Sequence, residues 1–445
     1  MGGGDRRPLN RDDVAMASPA SSLRPLRVLL PEGSSTSARQ AVTILGLAGH
    51  HVEICDPDWH GLARFSRFVA KFHRCPALRD DPSGFLAAIE GLLATGQYDV
   101  LLPTHEQGYL FARAQQRLAP QIGLALPSFH SYRTALNKAR FSGLLAELGL
   151  PQPVTRIVRS VRELRAAVRF PCVVKTAIGT ASRGVWFLHD AAELTQVLQE
   201  LHDSDAFADD VLVQDWVAGA TEKAQAVFSH GALVGFHAYR QIARGAGGGD
   251  AIKESVRRQR VRDDLATIGE NLLWHGALSI DYILSESGAR PFYIDCNPRL
   301  VEPMAAYLAG TDLVDTLLRV SLGEMPSPLP DSREGVRTHQ AMQALLGCAL
   351  AGGSRRAILR ECGDLLARRG AYADSVEELT PLRRDWLGIV PLAMTVLLLI
   401  AAPGLAQRLA KGGWGTHLLD AQSIVAIERD VEPPPDLPHV ESGRE

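Results

Sequence analysis

Asp281, Asp295 and Asn297 are residues of the right types and spacing to hold a divalent cation. The segments from Ala277 to Leu284 and from Pro291 to Cys296 read as two strands joined by a turn from Ser285 to Arg290. If Leu284 pairs with Phe292, Asp281 falls opposite Asp295 and both side chains point to one face of the hairpin. Two carboxylates so placed destabilise each other unless a cation or a shared proton sits between them. Asn297 returns to the same face two residues on and adds an amide oxygen. Such a set suits Mg²⁺, with Mn²⁺ as the alternative ion, because Mg²⁺ takes few protein ligands and completes its shell with phosphate and water. Taken singly, Asp281 is an ordinary strand residue and Asn297-Pro298 an ordinary turn; only the set points to metal.

A second group suits phosphate. Lys175 ends the apolar run Phe170 to Val174 and is followed by the loop Gly179-Thr180-Ala181-Ser182-Arg183-Gly184. An ammonium there can reach phosphate oxygens while the loop amides form an anion-binding nest. Val185 to Leu188 continues as a strand, so the loop joins two strands as a hairpin. Gly/Ser turns between strands are common, and the lysine and loop carry weight only together.

The elements that must position these residues follow from the apolar pattern. Residues 26 to 31 read as a buried strand, Ala38 to Ala48 as a helix stopped by Gly49, and His51 to Cys55 as the next strand. Helix and strand then alternate through Gly84–Leu93, Asp99–Pro103 and Ile122–Leu126, which makes residues 25–128 a small doubly wound α/β domain. It lacks GxGxxG, so a nicotinamide cofactor is not expected. Residues 129–325 form a second unit, in which Asn137-Lys138 opens a helix and Val211 to Val217 is a strand, with a lid around 170–217. From 326 to 445 the chain is Arg-rich and mostly helical, and residues 1–24 read as a disordered leader.

Composition narrows the partners. The 445 residues, 46% hydrophobic and 22% charged with a net charge of −3, give no general reason to bind nucleic acid. The basic stretch Lys253, Arg257, Arg258, Arg260 and Arg262 is followed by Asp263-Asp264 and reads as a solvated helix face. Six scattered cysteines without CxxC argue against a zinc site or a disulfide framework and fit a reducing cytoplasm. Trp386 to Ala406 carries no charge, but Pro391 and Pro403-Gly404 interrupt it and Arg383, Arg384, Asp385 and Arg408 flank it, so a buried helix or hairpin is expected in preference to membrane insertion or association.

In order along the chain, these marks resemble the ATP-grasp superfamily over residues 25 to 325. They are the small α/β domain, Asn137-Lys138-Ala139-Arg140-Phe141, Val173-Val174-Lys175 with its glycine loop, and Val213-Gln214-Asp215-Trp216-Val217-Ala218-Gly219. Ile280-Asp281-Tyr282 and Ile294-Asp295-Cys296-Asn297-Pro298-Arg299 complete the set. The likeness is greatest to the carboxylate–amine ligase branch that looks like carbamoyl-phosphate synthetase, where a segment like Tyr239-Arg240, Gly247-Gly248-Gly249 and Glu254-Ser255 lies between hinge and metal strands.

The resemblance implies an ATP-grasp fold, ATP with Mg²⁺, and amide formation from a small carboxylic acid and an amine through an acyl phosphate. It implies that Lys138 and Lys175 hold the ATP phosphates under a lid of Thr180, Ser182, Arg183 and Gly184. Gln214, Asp215, Trp216 and Val217 would meet adenine, and Glu222 the ribose. Asp281, Asp295 and Asn297 would hold metal, with Arg299 and Arg240 steadying the transferred group. Gln214-Asp215 and Asp295 depart from the family's usual glutamates, and Ala220-Thr221 lengthens the approach to Glu222 by one residue. A non-catalytic ATP-binding module and a ligase with another nucleophile, of carboxylase or carbamoyl-phosphate type, stay open as alternatives. So does a homodimer.

Overall fold

A computed structural model describes residues 23–179, 184–286, 290–381, 383–411 and 414–431. Nearly all of the expected leader, and Thr180, Ser182 and Arg183 of the expected lid, lie outside the described residues.

The first sheet is parallel, ordered β3-β2-β1-β4, from β1 (Arg27–Leu30), β2 (His51–Asp56), β3 (Val69–Arg74) and β4 (Val100–Leu101). Its first helix, Thr36–Leu47, starts where the Ser35 hydroxyl accepts from the Ala38 amide. The helix is followed by Gly49 at φ +85°, a left-handed turn that glycine adopts without strain. The segment 122–126, read as a strand, makes only a bridge from Gly123 to Val100. The edge strand β3 escaped the sequence reading because its residues are mostly half-buried or exposed and leave little apolar periodicity.

A second, antiparallel sheet, ordered β5-β8-β6-β7, comprises β5 (Thr155–Val158), β6 (Cys172–Thr176), β7 (Val185–Leu188) and β8 (Val211–Asp215). The β6–β7 hairpin is the one expected around the glycine loop.

The third sheet has seven strands in the order β13-β12-β9-β10-β11-β14-β15. They are β9 (Gly219–Ser229), β10 (Ala232–Arg244), β11 (Asp250–Ser255), β12 (Gly276–Ser285), β13 (Pro291–Asn297), β14 (Arg337–His339) and β15 (Ser375–Glu377). Asp281 does pair with Asp295, but not by the expected register. Leu284 pairs with Pro291 and Tyr282 with Tyr293, and β13 then spends Ile294 as an extra residue before Asp295 meets Asp281. This is a bulge: one strand gains a residue and the local pairing is interrupted.

The chain after residue 326 is mostly helical, as expected, yet its strands β14 and β15 extend the large sheet. Three buried charge contacts tie this region to the rest. Asp385 pairs with Arg39 at 2.9 Å, both side chains being nearly inaccessible, and accepts from the Ser66 hydroxyl and the Arg67 amide. Glu378 meets Lys253 at 2.8 Å, and His417 Nε2 lies 3.0 Å from Asp56. The uncharged stretch is broken as its prolines suggested, into a helix Ile389–Ala401 and a short turn Pro403–Leu405. It is not buried as expected, because Met394 and Leu397 on its outer side are exposed. Among the described residues no helix is long and apolar enough to cross a membrane.

Breaking a buried pair strands its partner's charge, so Asp385→Ala should destabilise the protein by about 3–5 kcal/mol. Equilibrium unfolding in urea measures this; a loss within error of zero would mean that Arg39 finds another partner.

Candidate active site

The large sheet sorts its polar residues by face. Asp295, Asp281, Lys223, Tyr239 and Ser255 pair successively across β13, β12, β9, β10 and β11 and share one face. The next row, Tyr282, Glu222, Arg240, Glu254 and Arg337, faces the other way.

On the first face Lys138 and Lys175 converge on the carboxylates. Lys138 stands at the start of the helix Lys138–Glu147, whose first amides are capped by the Asn137 side chain. Its ammonium lies 2.9 Å from Asp295 Oδ1 and donates to the Gly179 carbonyl at 2.7 Å. Lys175, on β6, donates to the Ile294 carbonyl at 2.8 Å. The bulge therefore has a function: its extra residue supplies the carbonyl that anchors the lysine. Burial pushes the Lys175 ammonium down to about 8, with Asp295 opposing that shift and Lys138 adding to it. Burial raises the Asp281 carboxyl to about 6, Lys223 opposes the rise, and Asp295 adds to it. Two carboxylates paired across adjacent strands, one already destabilised as an anion, are a donor set that a divalent cation relieves. Asn297 is two residues beyond Asp295 on the same strand, and the loop then folds back so that the Ser279 hydroxyl donates to the Arg299 carbonyl. Arg299 is buried, and its Nε and Nη1 have no hydrogen-bond partner among the described residues. A buried guanidinium with unused N–H groups is poised for an anion.

Beside Lys138 and Asp295 lies a cleft lined by Phe141, Leu212, Gln214 and Ile294, between the small antiparallel sheet and the edge of the large one. Gln214 is buried there and donates to the Thr155 hydroxyl at 3.0 Å. Asp215 pairs with Arg156 at 2.7 Å, and half-exposed Trp216, just before Val217, packs edge-on against Phe187 at 5.7 Å. Gly184, at φ +71°, closes the glycine loop by accepting from the Thr176 amide.

Two expectations are corrected. Glu222, expected at a ribose, is fully buried on the opposite face, where Arg258 clasps both its oxygens at 2.6 and 2.7 Å and Tyr282 donates at 2.9 Å. Arg240, expected at the transferred group, is in that same row and pairs with Glu254 at 2.7 Å. Neither face could be assigned without the register of the β9–β10 hairpin. The basic stretch is likewise not one solvated helix face: Lys253 is on β11 and fully buried, and Arg258 is the partner of Glu222.

The sequence reading also missed an extension of the polar face. Lys223 pairs with Asp250 at 2.8 Å, and Tyr239 and Gln241 donate to the same carboxylate. Burial works against the Lys223 ammonium, but Asp250 and Asp281 hold it above its ordinary range. Lys253 is gripped by Glu302 at 2.5 Å and by Glu378. Glu302 has φ +50°, a left-handed conformation that costs a non-glycine residue and is kept by these contacts. The alternation of β9 was the available signal, since Lys223 and Gln225 recur at period two and alternate with Ala224 and Ala226. In the first sheet, Glu32, Asp56 and His417 cluster, all buried. Glu32 accepts from the Ser34 and Ser35 amides and the Thr104 hydroxyl, and Asp56 from the Gly33 amide, the Ser34 hydroxyl and the Asp58 amide. The C-terminal region thus reaches the strand-end loops of the first sheet, through His417 at Asp56 and the Leu419 amide at Glu106.

A cleft between the small antiparallel sheet and the large sheet, with paired carboxylates and two lysines beside it, belongs to an α/β architecture of a known class: this is the ATP-grasp fold. Residues 135–245 match the RimK-like ATP-grasp domain. The chain is similar to the carbamoyl phosphate synthase large chain of Deinococcus radiodurans, 24% identical over 233 residues that cover 47% of this chain and 22% of that one. It therefore spans under a quarter of the length of that relative. A solved N5-carboxyaminoimidazole ribonucleotide synthetase in complex with ADP superposes with a TM-score of 0.58 at 16% identity, over 77% of this chain and 87% of that one. An L-amino acid ligase from Bacillus licheniformis does so with a TM-score of 0.52 at 14% identity, over 68% and 76%.

Lys175→Met should weaken ADP binding by about 1.5–3 kcal/mol, roughly ten- to hundredfold in Kd, the usual loss for a hydrogen bond to a charged group. Glu222→Gln should lower stability while leaving the ADP Kd within about twofold of the parent, because its oxygens serve Arg258 and Tyr282. Calorimetric titration with ADP, beside a melting curve for each variant, separates the two roles.

Proposed function

We propose that this protein is an ATP-dependent carboxylate–amine ligase that forms an amide through an acyl phosphate, on an amino acid or another small carboxylic acid. The observation that carries the reading is the meeting of Asp281, Asp295, Lys138 and Lys175 at one end of the cleft, with Arg299 buried nearby and its N–H groups unused.

Carboxylates do not condense with amines at neutral pH because the leaving group would be hydroxide. Transfer of the γ-phosphoryl group of ATP to a substrate carboxylate oxygen releases ADP and leaves a mixed anhydride. The amine then adds to its carbonyl carbon, phosphate departs with the bonding pair, and the amine proton passes to solvent or phosphate. Little covalent work falls to the protein, so positioning and charge neutralisation supply most of the rate. Lys138 and Lys175 bring two ammonium groups to the phosphates, and Lys138 exchanges its ion pair with Asp295 for one with phosphate. Asp281, Asp295 and Asn297 would hold Mg²⁺, which when bound neutralises charge on the β- and γ-phosphate oxygens. Arg299 offers Nε and Nη1 to the transferred group. Gln214 to Val217 border the adenine end, and the 179–184 loop acts as a lid that keeps the acyl phosphate from water.

The same reading treats residues 25–128 as a preceding α/β unit, 129–325 as the nucleotide-binding unit and 326–445 as a region that closes against both. It takes small molecules as substrates, places the enzyme in the cytoplasm and leaves a homodimer as the assembly to test. The similarity to a carbamoyl phosphate synthase large chain supports, as a second reading, a ligase with a different nucleophile, of carboxylase or carbamoyl-phosphate type.

ADP release measured across paired carboxylic acids and amines, with the product weighed by mass spectrometry, tests both readings: the product mass names the nucleophile. With the substrates found, Asp295→Ala should cut turnover by roughly 10²–10³, about 3 kcal/mol of transition-state stabilisation. Turnover at the parental rate would remove Asp295 from the metal site.

A further inference from the structure

The helix Ile389–Ala401 contains no charged residue and only one hydroxyl, that of Thr395, which is spent on the Pro391 carbonyl. Its inner side is packed: Thr395 and Leu399 are buried, and Leu392, Val396 and Ile400 lie against the core built with the helix Ala341–Leu350. Its outer side is apolar and open. Ile389, Met394, Leu397 and Leu398 recur at helical spacing, with Leu397 67% exposed, and Trp386 at the N-terminal end is 60% exposed. The neighbouring helix Arg355–Ala367 adds exposed Leu359 and Leu366. A helix that is apolar on every side normally has every side covered, and nothing in this chain's described residues covers this one.

The surroundings of the patch say what does. Exposed Arg383 stands before the helix, and exposed Arg355 and Arg408 stand at its far end, where Arg355 donates to the Ala401 carbonyl at 2.7 Å. Arg356 and Arg360 are exposed on the neighbouring helix. From residue 355 to 411 basic residues outnumber acidic ones nine to six, in a chain of net charge −3. Two of those acids, Glu378 and Asp385, are turned inward to buried partners. A second copy meeting this face about a two-fold axis would bring the same arginines together, like against like. An anionic surface with an apolar interior matches both features at once: the arginines meet phosphate, the aliphatic side chains enter the acyl boundary, and Trp386 lies at the level where tryptophan concentrates. With 13 residues, the helix is about 20 Å long, short of the roughly 30 Å hydrocarbon core, so it lies in the plane of the interface.

We propose that the outer face of the helix Ile389–Ala401, with its arginine fringe, docks the protein onto an anionic membrane surface without crossing it. The surface is separate from the nucleotide cleft, and its test does not depend on the ligase reading. The full chain is floated with vesicles of phosphatidylcholine containing phosphatidylglycerol, and with vesicles of phosphatidylcholine alone. The protein should float with the anionic vesicles, more weakly as salt rises, and the double variant Met394→Glu, Leu397→Glu should lose at least roughly tenfold of the partitioning. Both positions are exposed, so the variant should keep the parental circular dichroism and melting temperature. The proposal is overturned if the parent does not float with anionic vesicles, or if the variant floats as well as the parent. It is equally overturned if sedimentation shows a dimer that the variant dissolves while neither protein binds lipid, since a second copy then covers the face.

Discussion

Asp281 and Asp295 repel one another across a strand pair, and much of the molecule is arranged around that repulsion. Left alone in a half-buried setting, one of them would take a proton, and the raised Asp281 carboxyl expresses that tendency. The fold answers with cations from three directions: Lys138 from a helix N-terminus, Lys175 from the small antiparallel sheet and Lys223 from the adjacent strand. Each comes from a different element, so the carboxylate pair is a point at which the packing of all of them is checked. A substitution that shifts any one element changes the electrostatics of the pair before it touches the chemistry.

The polar face continues away from this pair as alternating charges. Asp281 is followed by Lys223 and Asp250, and further along the sheet Lys253 lies between Glu302 and Glu378. A buried charge is tolerable only when it is paired and its remaining hydrogen bonds are met. The row meets that requirement by drawing its last acid from β15's end, well outside the ATP-grasp resemblance. The C-terminal region is thus not an appendage: it supplies a counter-charge the central sheet lacks.

Much of this was legible in the sequence, for reasons that can be assigned. The first β-loop-α-β unit was readable because Arg27–Leu30 and the helix after Ser35 have unambiguous periods and a side-chain cap. Asp281 and Asp295 could be placed opposite one another from the turn length, though the pairing survives only through the Ile294 bulge, which no local pattern announces. Glu222 and Arg240 went astray because face depends on register and register on partners. Glu302 and Glu378 were invisible for a different reason: they reach Lys253 from 49 and 125 residues away, and no spacing rule connects them.

The tie between His417 and Asp56 has a consequence in time. The two residues are 361 positions apart, and the Leu419 amide reaches Glu106 over 313. At ordinary rates of synthesis the ribosome needs on the order of tens of seconds to cover that distance. During that interval the strand-end acids Asp56 and Glu106 lack the partners that His417 and Leu419 later supply. The packing of the first sheet is therefore completed only by residues made much later than its strands.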